Sequence, residues 1–341
     1  MTNILETLIY ASEKAARIAR SCCNSSESIL VAEKGDTEAN PRFDKDFKTI
    51  ADVLAQESAK EFIVSRIPEL KGEVRGEECS EIGGISIALQ ENSEETINLL
   101  SKILPIDTAK CMAKAAHSDV EQLNYGETLP DIPNIDYSDL GVWIDPIDGT
   151  AEFISGVRGE AKPGHGLPCV TVLIGAYLKS TGQPVVGVIN QPFYDNGEGR
   201  IVWGVKYGDT QLSSHESTSN DNKVILMSSA ENEEVIEKFK NIGWEVQSMS
   251  GAGHKLLKVA LGEASAYIVS KGTTFRWDTC APHSIICAKG GDVVCYKNHT
   301  QLKYNNPQNM DIQEYCNQFG IIAFTDSSVF EEIKDVIKID N

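Results

Sequence analysis

Apolar side chains recur along the chain first with helical and then with strand periodicity. Residues 2–21 place them three and four positions apart, which predicts an amphipathic helix packed against a core. A second helical pattern covers residues 49–67 and stops at Pro68, which cannot continue a helix. Strand-like runs then occupy residues 141–144, 170–177, 185–190 and 201–207. Because short turns join successive runs, the pattern predicts an antiparallel sheet.

The last third of the chain alternates between the two periodicities. Strands are predicted at residues 224–227, 266–269 and 292–296, and helices at residues 231–241, 254–261 and 279–289. Such alternation indicates α/β layering. The polar tract at residues 213–222 is the best candidate for a connecting loop. The sequence therefore predicts an α+β half at residues 1–208 and an α/β half at residues 209–341.

Charge and cysteine content narrow the classes of function. The 341 residues carry 31 Lys and Arg against 50 Asp and Glu, a net charge of -19. A surface this acidic repels nucleic acid polymers and anionic membranes, so any phosphate ligand must be held by local cations. The most apolar stretch, residues 169–177, is far too short to cross a bilayer. Nine scattered cysteines with no Cys-x-x-Cys pair predict reduced thiols and a cytoplasmic protein.

The segment from Trp143 to Thr150 combines an apolar run with two aspartates. Pro146 is expected to end a buried strand there, so that Asp145 and Asp148 converge at the turn. Two carboxylates this close repel each other unless a cation lies between them. Magnesium, a hard cation that prefers oxygen ligands, is the expected cation. The residues alone therefore predict a magnesium site.

Three further acidic segments have ordinary explanations when each is taken alone. Asp52 lies near the start of the second predicted helix, where it fits a surface position. Glu77 and Glu78 follow a glycine, as in a solvated turn. Asp278 lies at the start of the helix predicted at residues 279–289, where it fits an N-cap. None of the three indicates a reaction by itself.

Taken together, the acidic motifs resemble those of the lithium-sensitive, magnesium-dependent phosphatases, the superfamily of inositol monophosphatase. The motifs are Asp-x-x-Thr-x-x-Asp at residues 46–52, Gly-Glu-Glu at 76–78, Trp-Ile-Asp-Pro-Ile-Asp-Gly-Thr at 143–150 and Trp-Asp-x-x-Ala at 277–281. Within the superfamily, the inositol polyphosphate 1-phosphatase branch is most similar, through residues 46–54, 169–175, 187–193 and 273–278. The resemblance implies a layered αβαβα sandwich, the sugar phosphatase fold. Its N-terminal sheet is antiparallel, and its C-terminal sheet is smaller and mixed or parallel.

The same resemblance implies two or three magnesium ions and inhibition by lithium. It assigns one ion to Glu77, Asp145 and the carbonyl group of Ile147. Asp145 bridges to a second ion, which Asp148 and Asp278 complete. A third and weaker ion lies near Glu77.

The chemistry that the resemblance implies is hydrolysis of a phosphate monoester by a water on the first ion. Thr150 accepts a hydrogen bond from that water. Asp52 polarises the threonine hydroxyl, and the resemblance places it among both the catalytic and the metal-site residues. Glu77 binds the ion directly and Glu78 acts through a metal-bound water. The helix predicted to begin near Thr150 points its N–H groups at the phosphate.

Substrate contacts are implied at Asp148, Gly149, Thr150, Ser229, Gly251, Ala252, Lys255 and Thr273. Lys255 follows a Gly-Ala-Gly segment and is the candidate for binding a second, non-scissile phosphate. The alternative is that the glycines only shape a turn between a strand and a helix. Glu231 stands where the branch pattern has a lysine for the remote phosphate, and this departure leaves the substrate preference open.

The leading functional hypothesis is an enzyme that removes the 1-phosphate of inositol 1,4-bisphosphate, with inositol 1,3,4-trisphosphate as a further candidate. The first alternative is a 3'(2'),5'-bisphosphate nucleotidase acting on 3'-phosphoadenosine 5'-phosphate, which an aromatic side chain over the pocket would favour. The second is a catalytically silent inositol-phosphate binder. The branch resemblance also implies a monomer. His283 is expected to pack within its helix, and Cys280 is expected to be structural.

Overall fold

The computed structural model describes residues 3–24, 30–35, 46–82, 84–120, 129–216, 223–305 and 312–337. Its helices are α1 (Ile4–Ser21), α2 (Ile50–Arg66), α3 (Ser93–Leu100), α4 (Ile106–His117), α5 (Thr150–Val157), α6 (Glu233–Asn241), α7 (Ala252–Ala260), α8 (Arg276–Ala288) and α9 (Ser327–Ile337). Its strands are β1 (Val31–Glu33), β2 (Phe47–Thr49), β3 (Val74–Gly76), β4 (Glu81–Ile82), β5 (Ile85–Ser86), β6 (Leu140–Asp148), β7 (Thr171–Leu178), β8 (Pro184–Gln191), β9 (Arg200–Tyr207), β10 (Thr210–Ser213), β11 (Val224–Met227), β12 (Glu245–Ser248), β13 (Ala266–Val269), β14 (Asp292–Cys295) and β15 (Ile321–Phe324). The predicted α+β class is confirmed, although the sequence patterns missed helices α3, α4 and α9 and strands β1, β2, β4, β5, β10, β12 and β15.

Two large sheets organise the molecule. The first has six strands in the order β10-β9-β8-β7-β6-β3, and all its pairs are antiparallel except β6 with β3. The second has five strands in the order β12-β11-β13-β15-β14. In that sheet β11 is parallel to both its neighbours, and β15 is antiparallel to both of its own. The expected antiparallel N-terminal sheet and smaller, mixed or parallel C-terminal sheet are confirmed, apart from the parallel pair of β3 and β6.

Helices cover both faces of each sheet. Helices α1 and α2 pack on the outer face of the six-stranded sheet, and α7 and α8 lie between the two sheets. Helices α6 and α9 cover the outer face of the five-stranded sheet. Strands β6, β7 and β8 are therefore buried along almost their whole length, which explains their continuous apolar sequences. The layers follow the predicted αβαβα order.

A row of three glycines fixes the place of α8 between the sheets. Gly175, Gly187 and Gly204 pair with one another across β7, β8 and β9. A Cβ atom at Gly175 or Gly187 would overlap the backbone of Ala281 in α8, and one at Gly204 would crowd the next turn of the helix. The helix backbone therefore lies directly on the sheet. This close packing matters for the site because α8 carries Asp278 in its first turn.

Strand β6 continues through Pro146, so the prediction that the strand ends there is wrong. Its pairing with β7 shifts register between Asp145 and Asp148, where β6 has one residue more than its partner. Proline is tolerated at such a bulge because the ladder requires no hydrogen bond from it. Residues three apart on a regular strand point to opposite faces, and the extra residue brings both aspartates to the same side.

The helix predicted at residues 231–241 starts later in the structure. The side chain of Asn232 accepts a hydrogen bond from the amide of Glu234, so Asn232 caps α6, which begins at Glu233. Glu231 lies before the helix, in the loop that follows β11. Its side chain is therefore free to bind a neighbouring loop.

The polar tract predicted as a loop, residues 213–222, begins as a strand. Ser213 ends β10, which pairs with β9 at the edge of the six-stranded sheet. Residues 217–222 of the tract and Thr2 of the first predicted helix lie outside the described residues. The division into halves at residue 208 stays a prediction.

No helix in the described part of the chain is both long enough and apolar enough to span a membrane. All nine cysteines are free thiols. Cys280 is fully buried in α8 against the glycine row, and burial raises the pKa of its thiol well above the usual range. A neutral thiol in that place fits the expected structural role.

Candidate active site

A cavity of about 660 Å³ brings together loops from both sheets. Twelve predicted site residues line it: Glu77, Asp145, Ile147, Asp148, Gly149, Thr150, Ser229, Gly251, Ala252, Lys255, Thr273 and Asp278. The other two, Asp52 and Glu78, are buried residues outside this lining. The fold thus gathers residues from distant parts of the sequence around one space.

Three aspartates form what we call the carboxylate cluster: Asp145 and Asp148 from the bulge of β6, and Asp278 from α8. One oxygen atom of each lies within 4.8 Å of the others, and the residues are 1%, 5% and 9% exposed. Burial raises the pKa of Asp145 and Asp278 well above the usual range, and neighbouring carboxylates raise it further. In the absence of a cation, the cluster holds protons at pH values where aspartate is normally charged.

Asp278 occupies the third position of α8, so its predicted place at the N-cap is wrong. Phe275 is the N-cap residue, and its amide donates a hydrogen bond of 2.5 Å to the Asp278 carboxylate. A negative charge in the first turn also interacts favourably with the partial positive charge of the helix N-terminus. The first turn of α8 therefore fixes the direction of this side chain.

The carboxylate cluster has the chemistry of a divalent metal site. Asp145 Oδ1 is buried and has no hydrogen-bond partner among the described residues. Burying a carboxylate oxygen without a donor is costly, and a cation removes that cost. Glu77 and Ile147 line the same cavity and can add further oxygen atoms. A set made only of hard oxygen donors suits magnesium.

Asp52 is a buried residue, so its interpretation as a surface helix residue is wrong. It lies in the first turn of α2 and accepts hydrogen bonds from the amide and the hydroxyl of Thr49. Its Oδ1 atom lies 3.1 Å from Thr150 Oγ1, which is also 3.2 Å from the Ile147 carbonyl oxygen. Burial raises the pKa of Asp52 to about 6. The contact with Thr150 links α2 to the start of α5.

Lys34 is a residue of the site that the sequence analysis missed. Its Nζ atom lies 2.5 Å from Glu77 Oε1 and 2.8 Å from Glu78 Oε1, and the lysine side chain is 2% exposed. Burial by itself lowers the pKa of Lys34, but the two glutamates outweigh it and hold the pKa well above the usual range. The one available signal was the adjacent pair of acids, because buried Glu78 beside partly exposed Glu77 requires a counter-ion.

The segment that carries Lys255 borders the carboxylate cluster. Gly251 has φ +79° as the N-cap of α7, and the amide of Gly253 donates a hydrogen bond of 3.0 Å to Asp148 Oδ2. A Cβ atom at Gly253 would crowd this carboxylate, so the glycines both shape the turn and let α7 approach it. Lys255 Nζ donates to the carbonyl oxygens of Met249 and Gly251 at 3.0 and 2.8 Å. Burial lowers the pKa of Lys255 to about 8.

A second group with metal-ligand chemistry consists of His283, Cys287 and Asp292. His283 is buried in α8, as expected, but it also joins a hydrogen-bonded network. Its Nδ1 atom lies 2.9 Å from the Tyr304 hydroxyl and its Nε2 atom 2.6 Å from Asp292 Oδ1. Both ring nitrogens of His283 therefore have protein partners. The three residues are explained by this hydrogen-bonded network, which joins α8 to β14, without a metal ion.

Comparison with known proteins shows relatives along nearly the whole chain. Residues 2–323 match the model of the inositol monophosphatase family. The inositol polyphosphate 1-phosphatase of Mus musculus is 35% identical, over 95% of this chain and 94% of that protein. That of Bos taurus is 34% identical, over 97% and 96%. A 3'(2'),5'-bisphosphate nucleotidase 1 of Mus musculus is 32% identical, but over only 54% of this chain and 57% of that protein.

Solved structures share the fold at low sequence identity. The extragenic suppressor protein suhB from Bartonella henselae has a TM-score of 0.60 and 15% identity, and the match covers 99% of both chains. An IMPase/NADP phosphatase complexed with Mg²⁺ and phosphate has a TM-score of 0.52 and 13% identity, over 90% of this chain and 85% of that one. The predicted fold is thereby confirmed.

Proposed function

We propose that this chain, a phosphatase that belongs to the inositol monophosphatase family, removes the 1-phosphate of inositol 1,4-bisphosphate in a magnesium-dependent reaction. The carboxylate cluster carries the proposal, because three buried aspartates meet beside the N-terminus of α5 in a cavity that suits a small phosphorylated ligand. The inositol polyphosphate 1-phosphatases, matched over almost their whole length, support the choice of substrate. Inositol 1,3,4-trisphosphate is a further candidate.

The candidate ligands of the metal are Glu77, Asp145, Asp148, Asp278 and the carbonyl oxygen of Ile147. Two or three magnesium ions held there supply charge neutralisation and a more acidic water. The protein holds these oxygens close together in a buried place before substrate arrives. Burial also strengthens their attraction for cations, since the local dielectric constant is lower than that of water.

Thr150 is the residue proposed to orient the attacking water. Its hydroxyl donates to Asp52, which leaves its oxygen able to accept a hydrogen bond from a water in the cavity. Thr49 holds Asp52 in place through two hydrogen bonds. Glu78, paired with Lys34, is proposed to act through a water. The free N–H groups at the start of α5 can bind the scissile phosphate.

The aromatic residues of the cavity favour an inositol ring over an adenine base. Among the described lining residues, Tyr267, Phe275 and Trp277 are 2%, 5% and 4% exposed. Phe275 and Trp277 stack on each other, with ring centroids 4.7 Å apart. Only Phe47 is partly exposed among the aromatic side chains of this lining. A base needs an accessible ring face, which these buried rings offer poorly.

The test is phosphate release from inositol 1,4-bisphosphate and from 3'-phosphoadenosine 5'-phosphate, measured side by side with and without magnesium. We expect magnesium-dependent release with a clear preference for the inositol substrate. Preference for the nucleotide would replace the proposed substrate and retain the reaction. Release from neither, together with binding of inositol 1,4-bisphosphate, would establish the alternative of a silent binder and contradict the proposal.

Lithium inhibition is part of the proposal. We propose that lithium competes for the position of the ion that stabilises the leaving oxygen, where Asp148 and Asp278 are candidate ligands. Inhibition at submillimolar lithium and saturating substrate is the expected result, and its absence would count against that assignment. A monomeric state and a cytoplasmic location stay predictions, which gel filtration and cell fractionation can check.

A further inference from the structure

The outer side of the cavity is formed by the loops that follow β11 and β13. Among the described lining residues of the whole cavity, seven are acidic and only Lys255 and Lys271 are basic. The carboxylate cluster, with its metal ions, accounts for one phosphate group of a substrate. A second phosphate on the same substrate needs another positive charge, because so many acids otherwise repel it. Within the described lining, these two lysines are the candidates to supply it.

Glu231 does not oppose such a contact, although it lines the same cavity. Its carboxylate accepts hydrogen bonds from the amide and the hydroxyl of Ser270 at 2.9 and 2.5 Å, and from the amide of Asn232 at 2.8 Å. The residue is 8% exposed. Three donors therefore satisfy its carboxylate and hold the side chain against Ser270, at the end of β13, although Glu231 still lines the cavity.

Lys271 follows Ser270 directly and makes a second contact between the two loops, beside the one between Glu231 and Ser270. Its Nζ atom donates a hydrogen bond of 2.7 Å to the carbonyl oxygen of Ala230, the residue before Glu231. The residue is exposed, so the ammonium group keeps donors available for a ligand. These contacts between the two loops hold Glu231 against Ser270 and place Lys271 at the cavity.

Lys255 is placed differently. It is 5% exposed, and its ammonium group already donates to two carbonyl oxygens. Among the acids around it, Asp148 of the carboxylate cluster does most to raise the pKa of Lys255 against the effect of burial. Its position therefore suits the inner end of the cavity, near the scissile phosphate, better than a remote phosphate group.

We infer that Lys271 binds the non-scissile phosphate and so selects bisphosphorylated substrates. The inference rests on the proposed function, because it concerns the same cavity. Lys271 is a specificity residue here, and Glu231 is a positioning residue that fixes the loop through Ser270.

Steady-state kinetics with inositol 1,4-bisphosphate test the inference on five proteins: the wild type, Lys271→Gln, Lys271→Arg, Lys255→Gln and Lys240→Gln. We expect Lys271→Gln to raise KM about tenfold with kcat changed less than twofold, as for the loss of one charge-assisted contact. Lys271→Arg should recover most of the affinity. Lys240→Gln, which removes an exposed lysine outside the cavity, is the matched control and should behave as the wild type.

Two inhibitors separate recognition from a structural effect. Inositol 4-phosphate keeps the remote phosphate, so Lys271→Gln should weaken its inhibition about tenfold. Inorganic phosphate should inhibit Lys271→Gln and the wild type equally, because it competes at the metal site. Equal weakening of both inhibitors, an unchanged KM in Lys271→Gln, or transfer of both shifts to Lys255→Gln would overturn the inference.

Failure of the proposed function is visible before any variant is compared. If the wild type hydrolyses neither bisphosphate, the proposed function is wrong and the inference falls with it. If it hydrolyses only 3'-phosphoadenosine 5'-phosphate, the inference is decided by KM for that nucleotide in the same variants. Active wild type with unaltered kinetics in Lys271→Gln refutes the role of Lys271 and leaves the proposed function intact.

Discussion

The two sides of the cavity are built in different ways. On the inner side, Asp145, Asp148 and Asp278 are buried, and the backbone of a bulge or of a first helical turn directs each side chain. On the outer side, Ser229 and Lys271 are exposed on loops that are held by contacts with each other. The comparison teaches that local backbone motifs place the residues proposed for the reaction, whereas a pairing between distant loops places the residue proposed to select the substrate.

The largest effect should come from the inner side, through Asp145→Asn. The change removes a charge that the metal ions require, which costs several kcal/mol of transition-state stabilisation and so about 10³-fold or more in kcat. The metal-free protein should be at least as stable as the wild type, because carboxylate crowding is relieved. Phosphate release and thermal unfolding check both parts. Asp107→Asn, at an exposed carboxylate, is the control, and near-normal turnover in Asp145→Asn would refute the assignment.

Lys34→Met should separate the two roles of the inner side, stability and metal binding. Removing one partner of a buried ion pair leaves Glu77 and Glu78 uncompensated, so the metal-free protein should lose about 3 kcal/mol. Magnesium should then stabilise the variant more than it stabilises the wild type, since no lysine competes for the same oxygens. Thermal unfolding against magnesium concentration measures both, with exposed Lys110→Met as the control. An unchanged magnesium response would contradict the competition.

Gly187→Ala should disturb the inner side from a distance. A methyl group there overlaps the backbone of Ala281, so α8 must shift and move Asp278 with it. Overpacking of this kind costs about 1–3 kcal/mol, and magnesium binding should weaken as well. Chemical unfolding and calorimetric titration with magnesium are the measurements. Gly35→Ala, where a Cβ atom meets nothing within 4 Å, provides the control for unfolding. Equal stability of the two variants would contradict the close packing.

The smallest effect concerns pH. Burial raises the pKa of Asp52 to about 6, above its value in the unfolded chain, so the folded metal-free protein binds the proton more tightly. Its stability should therefore fall as pH rises from 5.5 to 7, by about 1 kcal/mol from Asp52 alone. The raised pKa values of Asp145, Asp278 and Glu78 make stability fall with rising pH in the same way. Asp52→Asn should flatten the dependence, and stability that rises with pH in this window would contradict the sign.

Much of the inner side could be predicted from the sequence because its features are local. The apolar run before Asp145 indicates a buried strand, and the close pair Asp145 and Asp148 indicates a metal site, whereas Asp278 joins that site only through the family resemblance. The geometry that joins Asp145 to Asp148 was still predicted wrongly. A proline after the first aspartate is compatible both with the end of a strand and with a bulge, and only pairing with β7 distinguishes them. Asp278 shows the same limit, since a first-turn acid and an N-cap acid give similar sequences.

The outer side and the support of α8 could not be predicted because their causes are long-range. Glu231 and Ser270 are 39 positions apart. Nothing in either segment indicates that the Glu231 carboxylate accepts hydrogen bonds from both the amide and the hydroxyl of Ser270. The glycines at positions 175 and 187 are visible in the sequence, but their purpose appears only when β7 and β8 pair and α8 packs on them. Lys34 likewise becomes part of the site only through the fold.

The most direct test of the carboxylate cluster as the metal centre is anomalous diffraction from crystals grown with manganese and inorganic phosphate. We expect strong anomalous peaks within bonding distance of Asp145, Asp148 and Asp278, with the phosphate beside the N-terminus of α5. Crystals of Asp145→Asn should lose at least one of these anomalous peaks, because Asp145 is the proposed bridge between two ions. Manganese found elsewhere, with none at the three aspartates, would contradict the account of this protein as a metal-dependent phosphatase.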